Sequence, residues 1–338
     1  MFGLGWLRAL TDARGLLEHA HHGVPRLGEG YTTDDNARAL LYLSLLPEGA
    51  RDEGLVRTYL AFLLHMQKED GRFRNGLTLD GRFEDEGEAE DPTGRAVLAL
   101  AAAQRLPPPY AGPAREALLR ALPALEGFTS LRGRAYALLG LLALPKEPFL
   151  EAAEALGEGL LRAFREAEPA WPYPGPLTYA NHRPVEALYT YGLAFRRQEA
   201  VARARGALLK EHYFTPGEEG LFFDPVGNRF MARGRDKPLF DQQPIEAKCA
   251  LLAHLRFGER VLAEVAFLWF HGRNRLRAPL VDAFGPMDGL TPHGPNQNRG
   301  AEALLAYLLA WQALVQGVFP QVDEGVALGR VFALGGRP

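Results

Sequence analysis

One cysteine and four methionines are all the sulfur this chain carries in 338 residues. A lone cysteine makes no internal disulfide and no cysteine-based zinc site. Cys249 falls in the apolar run from Ala247 to Leu255, which predicts a buried, inert thiol rather than a nucleophile. No stretch approaches the roughly 18 uninterrupted apolar residues of a membrane-spanning helix. The opening Met1-Phe2-Gly3-Leu4-Gly5-Trp6-Leu7 lacks the basic segment and cleavage site of a leader. Charge of one sign is also missing: 38 Lys and Arg face 41 Asp and Glu, for a net charge of -3. A basic stripe is the usual footprint of nucleic-acid binding, so nucleic acid is not an expected partner, and neither is a membrane. These absences together lead us to expect a cytoplasmic protein.

Several cofactor signatures are missing too. The chain has no P-loop, no Gly-x-Gly-x-x-Gly between a strand and a helix, no nucleophile elbow and no zinc-ligand spacing. No nucleotide or other cofactor is expected. His19, His21 and His22 cluster, but without the defined spacing and carboxylate a metal site requires, so no metal is expected.

What the chain does have is helical periodicity. Apolar spacing near 3.6 and the punctuation between segments predict about twelve helices. In the first half they are Trp6–His19, Asp34–Leu46, Asp52–Gln67, Pro92–Arg105, Pro113–Leu125, Leu131–Leu144 and Pro148–Glu166. In the second half they are His182–Phe195, Glu199–Tyr213, Gln243–Leu255, Glu259–His271 and Gly300–Val315. A short hairpin is expected within Gly217 to Met231, and a solvated acidic loop from Asp80 to Asp91. The even-numbered helices are apolar nearly all round, as at Ala96–Ala103 and Ala303–Leu309, which predicts burial on both sides. The odd-numbered ones carry charge on one face and suit an outer layer.

The entrances to the even helices share one plan: Asp or Asn, a few polar or turn residues, then Arg or Glu followed by Ala. It is visible at Asp91-Pro92-Thr93-Gly94-Arg95-Ala96, Asn181-His182-Arg183-Pro184-Val185-Glu186-Ala187, Asp241-Gln242-Gln243-Pro244-Ile245-Glu246-Ala247 and Asn298-Arg299-Gly300-Ala301-Glu302-Ala303. Recurrence at roughly 50–60 residues means one supersecondary unit used several times. Six helical hairpins closing into a ring make an all-α (α/α)6 toroid, a six-hairpin barrel with long loops at its mouth. A single domain over 1–338 is expected, with 317–338 a tail packed on it.

Three segments carry a family resemblance: Gly30-Tyr31-Thr32-Thr33-Asp34-Asp35-Asn36-Ala37-Arg38-Ala39-Leu40, Phe240-Asp241-Gln242-Gln243-Pro244-Ile245-Glu246-Ala247, and the stretch from Asp288-Gly289-Leu290 to Asn298-Arg299-Gly300-Ala301-Glu302. The chain resembles the six-hairpin, (α/α)6-barrel glycosidase superfamily, which also includes sugar epimerases and isomerases. Within it, the three segments resemble most a bacterial group labelled glycosyltransferase- or glycosidase-related. The resemblance implies the barrel fold and a sugar or oligosaccharide substrate. It implies no one reaction, because function lies in sites rather than folds.

Glycosidic cleavage normally employs two carboxyl groups, one protonated and one ionised. The candidates are acids at the mouth of the barrel: Asp34, Asp35, Asp91, Asp241 and Asp288. Each competes with a plainer role, since acids in a first helical turn also cap it and favour its dipole. Arg95, one turn into an apolar helix, needs an inner carboxylate or a ligand group as partner. Gln242, Gln243 and Glu246 supply directional donors and acceptors suited to a polyhydroxylated ligand. Glu186 and Glu302 occupy the place of Glu246 in their own repeats, either in catalysis or in bracing the ring. Asn36, Asn296, Asn298, His182, His271 and His293 are further candidate ligand groups, and Tyr31, Trp171 and Tyr179 offer faces for stacking on sugar. A glycoside hydrolase is the leading expectation. A sugar epimerase or isomerase would lead instead with His182 or His293 and Glu246, and a non-catalytic glycan binder would use the aromatics alone.

Overall fold

The structure, a computed structural model, describes residues 3–84, 90–144 and 146–318. The acidic stretch 85–89 and most of the expected tail lie outside those residues. Thirteen α-helices and five two-stranded antiparallel sheets are found among the described residues. In chain order the helices are α1 (Leu4–Ala9), α2 (Thr33–Ser44), α3 (Glu53–Met66), α4 (Glu90–Ala103), α5 (Pro108–Leu125), α6 (Leu131–Leu141) and α7 (Phe149–Arg165). They continue with α8 (His182–Ala194), α9 (Gln198–Gly206), α10 (Lys210–Tyr213), α11 (Pro244–Arg256), α12 (Arg260–Leu268) and α13 (Ala301–Val315).

Six of these form the inner ring. Helix α2 packs on α4, α4 on α6, α6 on α8, α8 on α11, α11 on α13, and α13 returns to α2. Each has an outer companion: α3 on α2, α5 on α4, α7 on α6, α9 on α8, α12 on α11, and short α1 against α13. The inner helices are buried over most of their length; in α4 every residue from Pro92 to Ala103 is buried. Outer helices show the one-sided pattern, as in α3, where Leu55, Tyr59, Phe62 and Leu63 point inward. This is the (α/α)6 toroid expected from the alternation of all-round and one-sided apolar helices.

Glycines let the ring close tightly between α4 and α6. A Cβ on Gly94 would lie 2.4 Å from the Gly133 carbonyl oxygen, and one on Gly140 would lie 2.8 Å from the Leu98 Cα. Backbone against backbone leaves no flexible side chain to give way. Caps then fix where the inner helices begin. Thr32 accepts from the Asp35 amide at the start of α2, and Ser130 from the Gly133 amide at the start of α6.

Two expected helices are not continuous: Glu199–Tyr213 is broken between α9 and α10, where Leu209 is left-handed, and the first helix ends early. The segment Trp6–His19 is not a single helix; α1 stops at Ala9. The Asp12 carboxylate accepts from the Arg14 and Gly15 amides at 2.8 and 3.2 Å, a local turn that competes with the helical ladder. Beyond it, the Leu16 amide donates to the Asn36 side chain and the Glu18 amide to the Gly30 carbonyl. The expected hairpin in 217–231 exists earlier, pairing Phe214–Gly217 with Gly220–Phe223.

The close approach of α4 and α6 makes a clear test. Gly140→Ala should cost about 1–3 kcal/mol of stability through overpacking. Gly112→Ala, in α5 with nothing within 4 Å, should gain about 0.4–1 kcal/mol. Urea denaturation of the two variants checks both signs.

Candidate active site

The inner helices α2 and α13 start at one end of the barrel, beside the entrance of α11. There, a cavity of about 300 Å³ is lined by Glu18, Asp34, Asp35, Asp288 and Glu302. Arg38, His19, Gln243 and Asn75 complete its polar wall. Five carboxyl groups on one small cavity are costly unless cations or protons answer them. Both do.

Arg38 is the main cation. It donates to Asp35, one turn back on the same helix, and to Glu302 Oε2 at 2.8 Å on α13. Asp35 is only 2% exposed, and its other oxygen accepts from the Thr32 hydroxyl at 3.1 Å. Burial pushes the Asp35 carboxyl up, against the pull of Arg38. Every feature of Asp35 is that of a residue holding Arg38 in place. Asp34 is different: its side chain is 23% exposed, with Oδ1 3.2 Å from Arg95 Nε and Oδ2 3.9 Å from Arg38 Nη2. Of the adjacent pair, Asp34 is the one that can meet a ligand.

The remaining two carboxyls are shifted towards their protonated forms. Burial, followed by the neighbouring Asp35 charge, pushes Glu18 up to about 7, with His19 3.5 Å away opposing the shift. Asp288 is also raised, first by burial, although it accepts the Gly300 amide at 2.6 Å. Glu18 was not among the residues picked from sequence. Read as the end of a helix, it had no reason to face the mouth. In the structure its amide is bound by the Gly30 carbonyl and its own carbonyl by the Ala301 amide, which pins it between the entrances of α2 and α13. The one available signal was the Asp12-Ala13-Arg14-Gly15 turn, which ends the helix before it.

Asp91 and Tyr179 gather at a neighbouring part of the mouth. Asp91 accepts from Ser130 Oγ at 2.5 Å, Arg132 Nε at 2.8 Å and Tyr179 Oη at 2.8 Å. Burial raises its carboxyl, but these hydrogen bonds outweigh it and hold it below the usual range. Arg132 also lies 4.0 Å over the Tyr179 ring. With both oxygens engaged, Asp91 is a clasp between α4 and α6.

Other expected site residues are turned inward. Tyr31 is fully buried and donates to Asp12 at 2.6 Å; Asn36 holds the Leu16 backbone and the Thr32 carbonyl. Gln242 donates to Asp224 at 2.8 Å and accepts from Trp269 at 2.9 Å. Trp171 is spent on the Gly175 carbonyl, and Glu186 on Arg183. A sugar pocket bounded by Tyr31 and Trp171 is therefore not what the structure contains, because both rings serve the core. Glu246 is buried, accepts from Asn181 at 3.1 Å, and is raised to about 7 by burial. His182 is buried against Tyr213 and His254, with neither ring nitrogen hydrogen-bonded, and burial drives it well below its usual value.

The remaining candidates lie on loops outside the cavity. Asp241 is exposed in a left-handed turn, His293 is exposed, and His271 lies 3.5 Å from Tyr307. Asn296 and Asn298 shape the loop carrying Asp288: Asn296 Oδ1 accepts the Asn298 amide, and the Asn298 carbonyl accepts the Asp288 amide. Cys249 is buried as expected. Among the described residues no His, Cys, Asp or Glu cluster is arranged to hold a metal, and no helix is long and apolar enough to cross a membrane.

Solved structures share this architecture. The fold is that of known (α/α)6-barrel enzymes. A D-mannose isomerase superposes with a TM-score of 0.70 at 11% identity, covering 94% of this chain and 95% of its own. Cellobiose 2-epimerase from Spirochaeta thermophila gives 0.64 at 14% identity, covering 93% of each chain. An α-amylase from Clostridium perfringens gives 0.58 at 12% identity, over 92% and 96%. No protein-family model matches the chain, and no curated protein matches its sequence.

The proton on Glu18 has a consequence for stability. The folded state keeps it up to about pH 7, whereas the unfolded chain releases it near the usual 4.5. Stability from this group is therefore full below about pH 4.5 and lost as pH rises towards 7. Urea midpoints of Glu18→Gln between those limits should fall less with rising pH than those of the unaltered protein. An unchanged slope would place the proton elsewhere.

Proposed function

We propose that this chain is a carbohydrate-active enzyme, and within that class a glycoside hydrolase. The observation that carries the reading is the pairing of Glu18 and Asp34 in one cavity. Glu18 carries a proton near neutrality, while the negative charge of Asp34 is opposed by Arg95 and Arg38. Opposed environments for two carboxyls are how one site supplies an acid and a base together. Glu18 would give its proton to the glycosidic oxygen as the bond to the anomeric carbon breaks. Asp34 would take a proton from the water attacking that carbon, so charge and atoms balance. Gln243 and Asn75 supply hydrogen-bonding groups for hydroxyls, and Asp288 a further carboxyl on the same wall. The similarity to structures named as amylase, isomerase and epimerase supports a sugar substrate for the barrel.

A second reading is isomerisation or epimerisation of a free sugar. The architectures of a mannose isomerase and cellobiose 2-epimerases favour it, as does His19 beside Glu18 on the cavity wall. The pairing first expected for such chemistry, His182 or His293 with Glu246, does not converge on the cavity. The aromatic platform of a glycan binder has no support either, since no Phe, Tyr or Trp is among the cavity-lining residues.

Release of reducing sugar from a panel of mannosides, glucosides, galactosides and uronides tests the hydrolase reading. Glu18→Gln and Asp34→Asn should each lower the rate by about 10²–10⁴-fold. Glu199→Gln, on the outer surface, should leave it unchanged. Activity surviving in both cavity variants would reject the assignment.

A further inference from the structure

One helical turn beneath the acidic rim lies a layer of opposite charge. Arg38 follows Asp34 by four residues, Arg95 follows Asp91, Tyr136 follows Arg132 and Lys248 follows Pro244. That spacing puts each on the inward face of its helix, one turn deeper. Arg183 from α8 and Glu302 from α13 complete a set with one residue from each inner helix. The Arg95 and Arg183 guanidiniums lie 4.3 and 5.4 Å from the Tyr136 ring centre. Arg38, Arg95, Tyr136, Arg183 and Lys248 are each at most 6% exposed.

The carboxylates beside this layer leave many of its donors without a hydrogen bond. Arg38 has Asp35 and Glu302, and Arg183 has Glu186. Arg95 has only the edge of Asp34, and none of its three nitrogens makes a hydrogen bond. Arg38 Nε, Arg183 Nε and the Tyr136 hydroxyl are likewise without partners. Lys248 has neither a hydrogen bond nor an ion pair among the described residues, and burial pushes its ammonium down to about 7, with the nearby arginines adding to the shift. Buried donors left unmet cost free energy. They are also what an anion needs, because planar guanidinium forks match carboxylate and phosphate oxygens.

We propose that this layer at the barrel axis is an oxyanion-binding site beneath the acidic cavity, whose wall Arg38 and Glu302 also form. Arg95 and Lys248 are its principal donors. Neutral hydroxyls would satisfy some of the hydrogen bonds but would leave Lys248, the one cation of the layer without a carboxylate beside it among the described residues, without an ionic partner. The bound group is either the acid group of the sugar itself or a free phosphate ion, and Asp34 stands between it and the cavity. The inference deepens the carbohydrate reading by giving the ligand a charge. It rests on that reading only for the sugar; anion binding is measured without turnover, so either can fail alone.

Calorimetric titration of the full chain with inorganic phosphate, glucose 6-phosphate, glucuronate and glucose tests it. At least one anion should bind, with Arg95→Met and Lys248→Met each weakening it by ~10-fold or more. Binding of inorganic phosphate identifies a free-ion site, whereas binding of an acidic sugar alone identifies the substrate's own acid group. Circular dichroism establishes that each variant is folded, and Lys248→Met carries the test if Arg95→Met does not fold. Silence with all three anions overturns the proposal. So does binding that is equally strong in the folded variants.

Discussion

Arg38 spans the seam at which the ring of inner helices closes. It starts on α2, is held by Asp35 of the same helix, and reaches Glu302 on α13. A ring of six helices has no sheet to set its register, so the last helix must be fixed to the first by side chains. Deeper in the seam, Gln312 Nε2 donates to the Tyr42 carbonyl at 3.3 Å. At the rim the link is ionic, and it draws carboxyl groups into a region with little water. That is the constraint from which the site follows. Once Arg38 is committed to Asp35 and Glu302, burial raises the carboxyls of Glu18 and Asp288, that of Glu18 to about 7.

Charge is therefore layered along the barrel axis. Acids form the rim, cations the layer beneath, and apolar side chains from Leu40 and Leu100 onward fill the rest. Part of the layering comes from one sequence device, an acid at a helix entrance and an arginine four places later, used at Asp34 and Arg38 and again at Asp91 and Arg95. In a low-dielectric interior such groups interact strongly, and unmet ones are expensive. A purely structural ring would be served as well by apolar residues. The excess of unmet donors on Arg95 and Lys248 argues for a ligand.

Much of this was legible in the sequence. The architecture could be read from helices apolar on all sides alternating with helices apolar on one, and from the recurring entrances. Asp34, Asp35, Gln243, Asp288 and Glu302 were picked for their place at those entrances, and the structure brings them to one cavity. Arg95 was expected to need an inner carboxylate and lies against Asp34. Direction was not legible. Asn36 sits beside cavity residues in the chain yet points the other way, because a one-residue step turns a side chain about 100° around a helix. Tyr31, on a short strand, faces opposite to Thr32, and Gln242, ahead of α11, is held inward by Asp224 and Trp269. Glu18 was hidden by a turn that ends α1 early. Which polar residues brace and which face a ligand depends on contacts made between distant repeats, and no single repeat encodes that.

The most direct test of the account is proton NMR of the protein with the glycoside panel and with free sugars in D₂O. Hydrolysis predicts growth of free reducing-end anomeric signals from a glycoside, with no loss of the proton at the carbon next to the carbonyl. Exchange of that proton in a free sugar, with every glycosidic bond left intact, would contradict the hydrolase account and make the cavity an isomerase site.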